Sequence, residues 1–314
     1  MIVTSQRFIF KQNRLKQLRA FCMAAQTGSI SRAAEQMFLS QPSISLLIKS
    51  LEKDLDTNLF NRNGPRIHLS EQGNQLLELA LPLVEGVETL PEAFLERLEN
   101  KVSGELNIAA GETATLYILP DTIKRYKDLY PEVRIKLHNV TNRDAMGLLL
   151  AGEVDIGIGS ILNVPEEFVY IPTVEYRPVL ITPPGHPLLR KDGASLEEIT
   201  AHSLIIPPRH LTTWQMVELV FQQHNIHYSV ALETGGWEAI KKYVEMGLGI
   251  SIVTSVCLSG REKLGTIQLP DYFPNRNYGL IARKGKYFSP AVRKFVQLFD
   301  DNALPEFYNQ NPVK

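Results

Sequence analysis

The sequence predicts an α+β protein of several domains: a small helical domain with a β-hairpin, a linker helix, and an α/β domain of two lobes. Three observations indicate this arrangement. Turn and cap residues separate three short helices between residues 15 and 51, apolar residues recur at helical spacing over residues 74–103, and strand and helix patterns alternate over residues 104–301. With 314 residues, the chain is long enough for two or three domains that each bury a core.

The first helix carries apolar residues at helical spacing: Leu15, Leu18, Phe21, Cys22 and Ala25. Gly28 follows where a left-handed C-terminal residue is expected. A short second helix contains the small residues Ala33 and Ala34, which let a neighbouring helix approach closely. Ser40 is a suitable N-cap for a third helix, and Pro42 falls in the first turn, where its missing N–H costs no hydrogen bond.

The third helix has two distinct faces. Its buried stripe is expected to consist of Ile44, Leu47, Ile48 and Leu51. Gln41, Ser45 and Lys49 project from the opposite side, with Ser43 near the leading end. Uncharged polar groups at the front of a helix suit base edges, and Lys49 suits a phosphate. A small helical bundle with an ordinary solvated face is the alternative.

A hairpin after the third helix favours DNA binding over that alternative. Residues 61–66 form a turn signature that contains Arg62 and Arg66, between the apolar segments 59–60 and 67–69. A basic wing beside a helix with a polar face predicts a winged helix-turn-helix domain over residues 1–73, which binds double-stranded DNA. The candidate DNA contacts are Ser31, Arg32, Ser40, Gln41, Pro42, Ser43, Ser45, Lys49, Arg62 and Arg66.

Charge and composition agree with this interpretation. Residues 1–74 contain ten Lys and Arg against five Asp and Glu, although the whole chain carries a net charge of −1. A positive amino-terminal domain on a negative body suits a protein that binds DNA at one end. Cys22 and Cys257 lie in apolar segments, so we expect reduced core thiols. The sequence has neither a leader nor an apolar segment of about 20 residues, which predicts a cytoplasmic protein with no membrane partner.

The linker helix is expected over residues 74–103. Its apolar side chains need a partner, and the same helix of a second subunit is the obvious one. Pro82 and Pro91 are expected to kink or break it.

Residues 104–301 alternate between strand and helix, which predicts largely parallel sheets. The chain is expected to cross between lobes near Glu175–Tyr176 and again near Pro274–Asn277. Lobe I then comprises residues 104–175 and 277–301, and lobe II comprises residues 176–276. This arrangement resembles a periplasmic-binding-protein fold, with a ligand cleft between the lobes. Residues 302–314, rich in Asn and Pro, are expected to form a frayed tail.

Ligands of such sheets bind beyond the carboxyl ends of strands, near helix N-termini. The candidate effector-binding residues at these points are Thr113, Ala114, Thr115, Thr141, Asn142, Ser160, Thr212, Thr213, Gly235 and Trp237. Each one also suits an ordinary N-cap or turn, and Trp237 suits either the roof of the cleft or packing between lobes. Hydroxyls and amides together favour a small polar or anionic ligand. The carboxylate of Glu112 would weaken the binding of an anion unless it is neutralised or faces outward.

The ordered motifs resemble the LysR-type transcriptional regulators over nearly the whole chain. The amino-terminal matches include residues 28–34, 40–45, 51–52, 59–62 and 69–73, and the matches in the α/β domain include residues 131–135, 149–156, 185–188 and 243–250. Asp56 replaces a glycine that is usual in the family, Ser70 stands where threonine is commoner, and about a dozen extra residues precede the first helix. Ser70 can still cap a helix as threonine does.

This resemblance implies a regulator that binds an interrupted palindrome in a promoter, as a homodimer or homotetramer, and contacts RNA polymerase. A small-molecule effector would bind between the lobes. The phrase from Ile240 to Val244, with Thr113 placed seven residues before Pro120, is similar to the sulfur-assimilation regulator branch. That similarity implies ligand contacts at Thr113 and Thr212.

Two other classes of function remain open from the residues alone: a solute-binding protein, and an enzyme built on the same bilobal fold. The missing leader opposes the first, and no acid–base pair or nucleophile motif supports the second. His224 and His227 have no acidic or cysteine ligand at suitable spacing, so a solvated helix end is expected there and not a metal site. Residues 247–249 lack the third glycine of a dinucleotide loop, and we predict no cofactor.

Overall fold

The computed structural model describes residues 14–61, 67–99, 101–190, 193–209, 211–269 and 273–310. The amino-terminal domain contains three helices, which are α1 Arg14–Thr27, α2 Ile30–Gln36 and α3 Gln41–Leu55. Gly28 adopts φ +61°, as its predicted position at the end of α1 requires. Ser29 caps α2 and Ser40 caps α3 through their side chains. Local turn and cap residues thus fix the angles between these helices.

A short hairpin follows α3. Asp56 ends α3 at φ +50°, which explains why a glycine suits this position, since glycine has no Cβ to clash there. Strand β1 (Phe60–Asn61) pairs antiparallel with β2 (His68–Leu69). The turn between these strands, including Arg62 and Arg66, lies outside the described residues.

The linker consists of two helices, α4 (Glu71–Glu88) and α5 (Leu90–Glu99). Pro82 does not break the helix, because α4 continues through that residue. The break falls at Thr89, and Pro91 occupies the first turn of α5, where it disrupts no hydrogen bond. Ala80, Leu81 and Val84 are buried with α1 and α3, so α4 is also part of the amino-terminal core.

Lobe I is built on one mixed sheet of five strands in the order β4-β3-β5-β12-β6. Its strands are β3 Gly104–Ala110, β4 Val133–Asn139, β5 Ile156–Gly159, β6 Phe168–Tyr176 and β12 Arg276–Arg283. Strands β3, β4 and β5 are parallel, whereas β12 runs antiparallel to both β5 and β6. The helices of this lobe are α6 Leu119–Leu129, α7 Asn142–Ala151 and α11 Pro290–Phe299.

Lobe II contains a three-stranded sheet and a separate parallel pair. Strand β7 (Pro178–Thr182) lies between β10 (Ser251–Thr254) and β11 (Gly265–Gln268) and is antiparallel to both. The parallel pair is β8 Leu204–Ile206 with β9 Val230–Glu233. The helices are α8 Leu196–Thr200, α9 Thr212–Gln223 and α10 Trp237–Glu245. The expectation of largely parallel sheets is therefore wrong, because β7 and β12 each run against two neighbours.

The carboxyl-terminal segment is a helix, so the expected frayed tail over residues 302–314 is wrong as far as residue 310. Helix α12 (Ala303–Gln310) buries Ala303, Leu304 and Phe307 in the lobe I core. The Phe307 ring meets Phe288 edge to face, with ring centroids 5.3 Å apart. Composition suggested disorder, but three well-placed apolar side chains anchor the helix.

Candidate functional site

The leading end of α3 is held by its own cap. Ser40 Oγ accepts a hydrogen bond from the Ser43 backbone N–H at 3.3 Å, and the two hydroxyls lie 2.8 Å apart. Both serines are exposed, as are Gln41 and Pro42. Ser40 and Ser43 therefore share a structural role at the cap, and the Gln41 amide is presented to solvent from the first turn.

The rest of α3 separates into the two predicted faces. Ile44, Ile48 and Leu51 are almost completely buried. On the other side Ser45 is half-buried and Lys49 is exposed. A polar residue in the first turn, another one turn later and a lysine after that form a row along one exposed side of a rigid helix.

The second helix presents two more candidates. Ser31 and Arg32 in α2 are both exposed, and the Arg32 backbone N–H donates to the capping hydroxyl of Ser29. Arg62 and Arg66 lie outside the described residues, so the structure does not place their side chains.

Two exposed apolar residues beside this face were missed from the sequence. Phe38, in the turn before α3, is 94% exposed at φ +53°, and Leu46 on α3 is 72% exposed. A bulky residue in the left-handed region is strained, and such strain concentrates at functional positions. An apolar group at a DNA-reading helix suits a thymine methyl. The unusual backbone of Phe38 has no sequence signal other than its place in a tight turn.

The two lobes meet through polar contacts at the predicted cleft. The Trp237 indole N–H of lobe II donates to Thr113 Oγ1 of lobe I at 2.7 Å. Tyr117 donates its hydroxyl to Glu238 at 2.6 Å, and Lys241 lies 5.5 Å from the centre of the Tyr117 ring. Burial, followed by the hydrogen bond to Glu238, raises the pKa of Tyr117, so its hydroxyl stays protonated. These contacts hold the lobes together at one edge of the cleft.

Trp237 packs within lobe II and does not roof an open cleft. It is only 6% exposed and belongs to a cluster with Ile205, Ile240 and Val253. Its indole N–H reaches Thr113 of lobe I. Packing is therefore its main role, with one polar contact across the lobes.

The segment after β3 is a π-helix over residues 114–118. Such segments are rare and are frequent at functional sites. Ala114 is buried, and Thr115 Oγ1 is buried without a hydrogen-bond partner. Nearby Glu112 has a raised pKa because of burial and then of Glu238, and its carboxylate faces Gly236.

Thr141, Asn142 and Ser160 are held by contacts within lobe I. Thr141 caps α7 by accepting from the Asp144 N–H, and Asn142 Nδ2 donates to the Ser160 carbonyl at 2.7 Å. Ser160 is buried. These contacts fix the loop after β5 against α7.

The remaining candidates lie at two helix starts. Thr212 and Thr213 begin α9, and Gly235 precedes α10. Among the described residues, neither helix has a side-chain cap, whereas Ser or Thr caps α2, α3, α4, α7, α8 and α11. Uncapped N–H groups are suited to hydrogen-bonding a ligand.

Sequence reasoning missed a buried arginine at the return crossing between lobes. Arg276, the first residue of β12, is 5% exposed, and its Nε and Nη1 atoms have no hydrogen-bond partner. Its guanidinium lies 6.0 Å from the centre of the Tyr278 ring. Burial lowers the pKa of Arg276, and it raises that of Tyr278 although the arginine charge acts in the opposite direction. No feature of the sequence indicates that an arginine at this crossing is buried.

Two cavities border this crossing. One of about 20 Å³ lies beside Arg276, with Met216 and Val217 of α9 and Thr254 of β10 in its lining. A wide, open cavity of about 830 Å³ is lined by both crossing segments, including Arg177. The first cavity is large enough for one water molecule.

The linker is fastened to lobe I by a buried carboxylate. Glu85 of α4 accepts hydrogen bonds from Arg283 Nη2 at 2.9 Å and from the Tyr287 N–H at 3.1 Å. Lys286 Nζ lies 3.4 Å from Glu85 and 3.4 Å from Asp155. The end of β12 is thus attached to the helix that is packed in the amino-terminal domain.

Both cysteines are buried free thiols, and burial raises the pKa of Cys22 to about 12 and also raises that of Cys257. Within the described ranges, no group of three or more His, Cys, Asp and Glu side chains is arranged to hold a metal ion. The same part of the chain contains no helix long and apolar enough to cross a membrane.

Relatives of known sequence match nearly the full chain. It is 30% identical to a probable RuBisCO transcriptional regulator of Nostoc, over 96% of this chain and 91% of that protein. It is 31% identical to the uncharacterized HTH-type transcriptional regulator YeiE of Escherichia coli K12, over 93% of this chain and 98% of that protein. These names do not identify one branch of regulators, so the similarity to the sulfur-assimilation branch stays a prediction.

Solved structures share the architecture. The cofactor-binding domain of the Cbl transcriptional regulator aligns with a TM-score of 0.63 and 28% identity, over 68% of this chain and 95% of that one. Full-length CbnR in complex with its target DNA aligns with a TM-score of 0.57 and 21% identity, over 92% and 99%. The second likeness shows the fold alone.

The two family matches divide the chain in the same way as its fold. Residues 15–74 match the bacterial regulatory helix-turn-helix proteins of the lysR family, and residues 99–303 match the LysR substrate binding domain. The chain belongs to the LysR family of transcriptional regulators, which bind DNA and an effector and are not enzymes.

Proposed function

We propose that this regulator acts as a homodimer or homotetramer whose α3 helices enter the major groove at the two halves of an interrupted palindrome in a promoter. A small polar or anionic metabolite binds between the lobes and changes the spacing or angle of the DNA-binding domains. That change alters DNA bending and contact with RNA polymerase. The site of action is the bacterial chromosome, in the cytoplasm.

The exposed row on α3 is the observation that carries the DNA-binding assignment. Gln41, Ser45 and Lys49 lie along one side of a helix whose other side is fully packed. An amide is suited to bidentate hydrogen bonding with adenine, and a lysine to a phosphate. Arg62 and Arg66 are proposed to clamp the adjacent backbone from the wing.

An exposed apolar stripe on the linker supports self-association. Its members lie three to four residues apart across α4 and α5: Leu79, Leu83, Val87, Leu90, Phe94 and Leu98, all of them exposed by 45% or more. A stripe of this length on an isolated chain is unfavourable in water. The matching stripe of a second copy is its simplest cover, and it would pair the DNA-binding domains.

The ligand assignment rests on the contacts that join the lobes. Polar contacts that include Trp237–Thr113 and Tyr117–Glu238 hold this edge of the cleft. A ligand that competes for or reinforces these contacts shifts the balance between open and closed lobes. A coupling of about 1–3 kcal/mol is sufficient for regulation.

The test of the DNA assignment is a pair of alanine variants on α3. Duplexes are selected from a random pool with the full-length protein, and binding is then measured on the selected and on scrambled DNA over a range of salt concentrations. Gln41→Ala is expected to cost about 1–3 kcal/mol on the selected site and less on scrambled DNA. Lys49→Ala is expected to weaken both and to lower the salt slope by about one.

Lys53→Ala is the matched control, because Lys53 is exposed on the same helix about 18 Å beyond Gln41. It is expected to leave both affinities nearly unchanged. Equal losses on selected and scrambled DNA for Gln41→Ala would show that this residue only supports backbone contacts. Equal effects of Lys49→Ala and Lys53→Ala would contradict the proposed orientation of α3.

A further inference from the structure

The guanidinium of Arg276 is a buried positive charge without a counter-charge in the described part of the chain. The residue is only 5% exposed, and neither Nε nor Nη1 of its side chain donates a hydrogen bond. No described carboxylate lies within ion-pair distance of it. An arginine stays protonated in proteins, so this charge cannot be removed by deprotonation.

The interactions that Arg276 does make leave most of its hydrogen-bonding capacity unused. The Tyr278 ring at 6.0 Å offers a cation–π contact, which satisfies no N–H donor. By contrast, two other basic residues with little exposed surface have hydrogen-bond acceptors as partners. Lys241 contacts Glu262 at 2.9 Å and the Cys257 carbonyl at 2.8 Å, and Arg283 contacts Glu85 at 2.9 Å. Buried charges are normally paired in this way, so the exception points to a missing partner.

Arg276 lines a small and otherwise mostly apolar cavity, in which Thr254 is the other polar residue. Met216 and Val217 of α9 line the cavity beside Arg276. Helix α9 begins one turn before them, at Thr212, and its first turn has no side-chain cap. The start of a helix of this length carries free N–H groups and a partial positive charge. Thr254 of β10 lines the same cavity. Arg276 of the lobe I sheet and Thr254 of lobe II therefore line the same cavity, and α9 begins one turn away from it.

We propose, as an extension of the cleft assignment above and resting on it, that the effector carries an oxyanion group bound by Arg276 between the two lobes. A planar guanidinium pairs two N–H groups with two oxygens of a carboxylate, phosphate or sulfate group. The present cavity of about 20 Å³ holds no more than a water molecule, so the lobes separate to admit the ligand. Binding then links α9 of lobe II to β12 of lobe I.

The experiment measures thermal unfolding of the full-length protein, followed by fluorescence of its two tryptophans, in sodium sulfate, phosphate or acetate at matched ionic strength against sodium chloride. At least one oxyanion is expected to raise the Tm of the wild-type protein by mass action. Arg276→Met is expected to weaken the apparent affinity at least about tenfold, and Arg276→Lys to retain part of it. Without oxyanion, Arg276→Met is expected to have an equal or higher Tm, since it removes an unpaired buried charge.

Arg177→Met is the matched control, because Arg177 is exposed and follows Tyr176, the strand neighbour of Arg276. It removes the same charge and is expected to keep the full response, which separates specific binding from general salt effects. A wild-type protein that responds to none of the three oxyanions overturns the proposal. So does a lowered Tm of Arg276→Met without oxyanion, which would show a purely structural arginine.

Thr113→Val distinguishes failure of this inference from failure of the cleft assignment. Loss of the response in Thr113→Val but not in Arg276→Met would keep the ligand in the cleft and overturn the role of Arg276. An unchanged response in both variants would overturn the cleft assignment itself. Loss of the oxyanion response in both variants would support both the cleft assignment and the role of Arg276.

Discussion

Glu85 connects the DNA-binding domain to the effector domain, and replacing it tests how strongly. Its side chain is 12% exposed, and its cationic partners Arg283 and Lys286 are 11% and 12% exposed. Glu85→Gln keeps the size and one acceptor oxygen but removes the charge. Hydrogen bonds to charged groups contribute about 1.5–3 kcal/mol each, and removing one partner of a buried pair costs about 3–5 kcal/mol. Because glutamine retains part of the hydrogen bonding, we expect a loss of about 2 kcal/mol.

The same helix provides an internal control. The Glu88 carboxylate accepts a hydrogen bond from Arg19 Nε at 2.9 Å, which is also the distance between Glu85 Oε1 and Arg283 Nη2. The side chains of Arg19 and Glu88 are 48% and 42% exposed, so water screens their interaction. Exposed pairs contribute about 0.2–1 kcal/mol. Glu88→Gln is therefore expected to cost less than half as much as Glu85→Gln.

Urea unfolding of the full-length protein, followed by circular dichroism, gives the free energies for two double-mutant cycles. One cycle combines Glu85→Gln with Arg283→Met, and the other combines Glu88→Gln with Arg19→Met. The buried pair is expected to show a coupling energy at least about 1 kcal/mol larger than the exposed pair. Equal coupling energies would refute the argument that burial makes Glu85 the stronger attachment.

Two further predictions concern the linker and lobe II. Leu83→Glu is expected to weaken self-association by about 2 kcal/mol, measured by sedimentation equilibrium. Leu129 is an exposed leucine on α6, outside the linker, and Leu129→Glu is expected to leave self-association unchanged. Equal effects of the two variants would show that the linker stripe is not the interface. Burial raises the pKa of Glu262, but the hydrogen bond from Lys241 and others outweigh it and lower the pKa to about 2. The stability from Glu262 is present above its unfolded pKa of about 4.3 and is lost as the pH falls towards 2. Acid unfolding of Glu262→Gln should therefore depend less steeply on pH in this window, and an unchanged dependence would contradict the assignment.

The amino-terminal domain was predictable because its signals are local. A glycine at φ +61° and two capping serines each act within four residues of their own position, and the apolar stripe of α3 follows from helical periodicity alone. Asp56 shows the limit of such signals. Its left-handed conformation was recognisable only as a departure from a glycine in a familiar pattern.

Strand direction and the fate of the carboxyl terminus depend on tertiary contacts and were predicted wrongly. Nothing in residues 276–283 shows that β12 enters between β5 and β6 and runs antiparallel to both. The final helix, α12, was likewise not predictable from its own residues. Its apolar residues are few, and only the nearby ring of Phe288 gives Phe307 a reason to be buried. Composition reports the average character of a segment and not which neighbours it meets.

The ligand cleft between the lobes stays a prediction, and the sequence analysis placed no positive charge in it. Thr113 was predicted from its place after a strand and from the family resemblance, and Trp237 was considered as a roof of the cleft or as packing between the lobes. The two side chains contact each other between the lobes. Arg276 was not among the residues predicted from the sequence. Its burial results from packing against α9 and β10, elements that lie more than twenty residues away in the sequence.

Strand β12 supplies a physical connection between ligand and DNA. It begins at Arg276 in the cleft and ends at Arg283 on Glu85, a span of about 23 Å at roughly 3.3 Å per residue. Hydrogen bonds to β5 on one side and β6 on the other keep it from bending independently. In the proposal above, a ligand that pulls on Arg276 would move the sheet of lobe I relative to lobe II. Because Glu85 fastens that sheet to α4, and α4 is packed with α1 and α3, the displacement would then be passed to the DNA-binding helix.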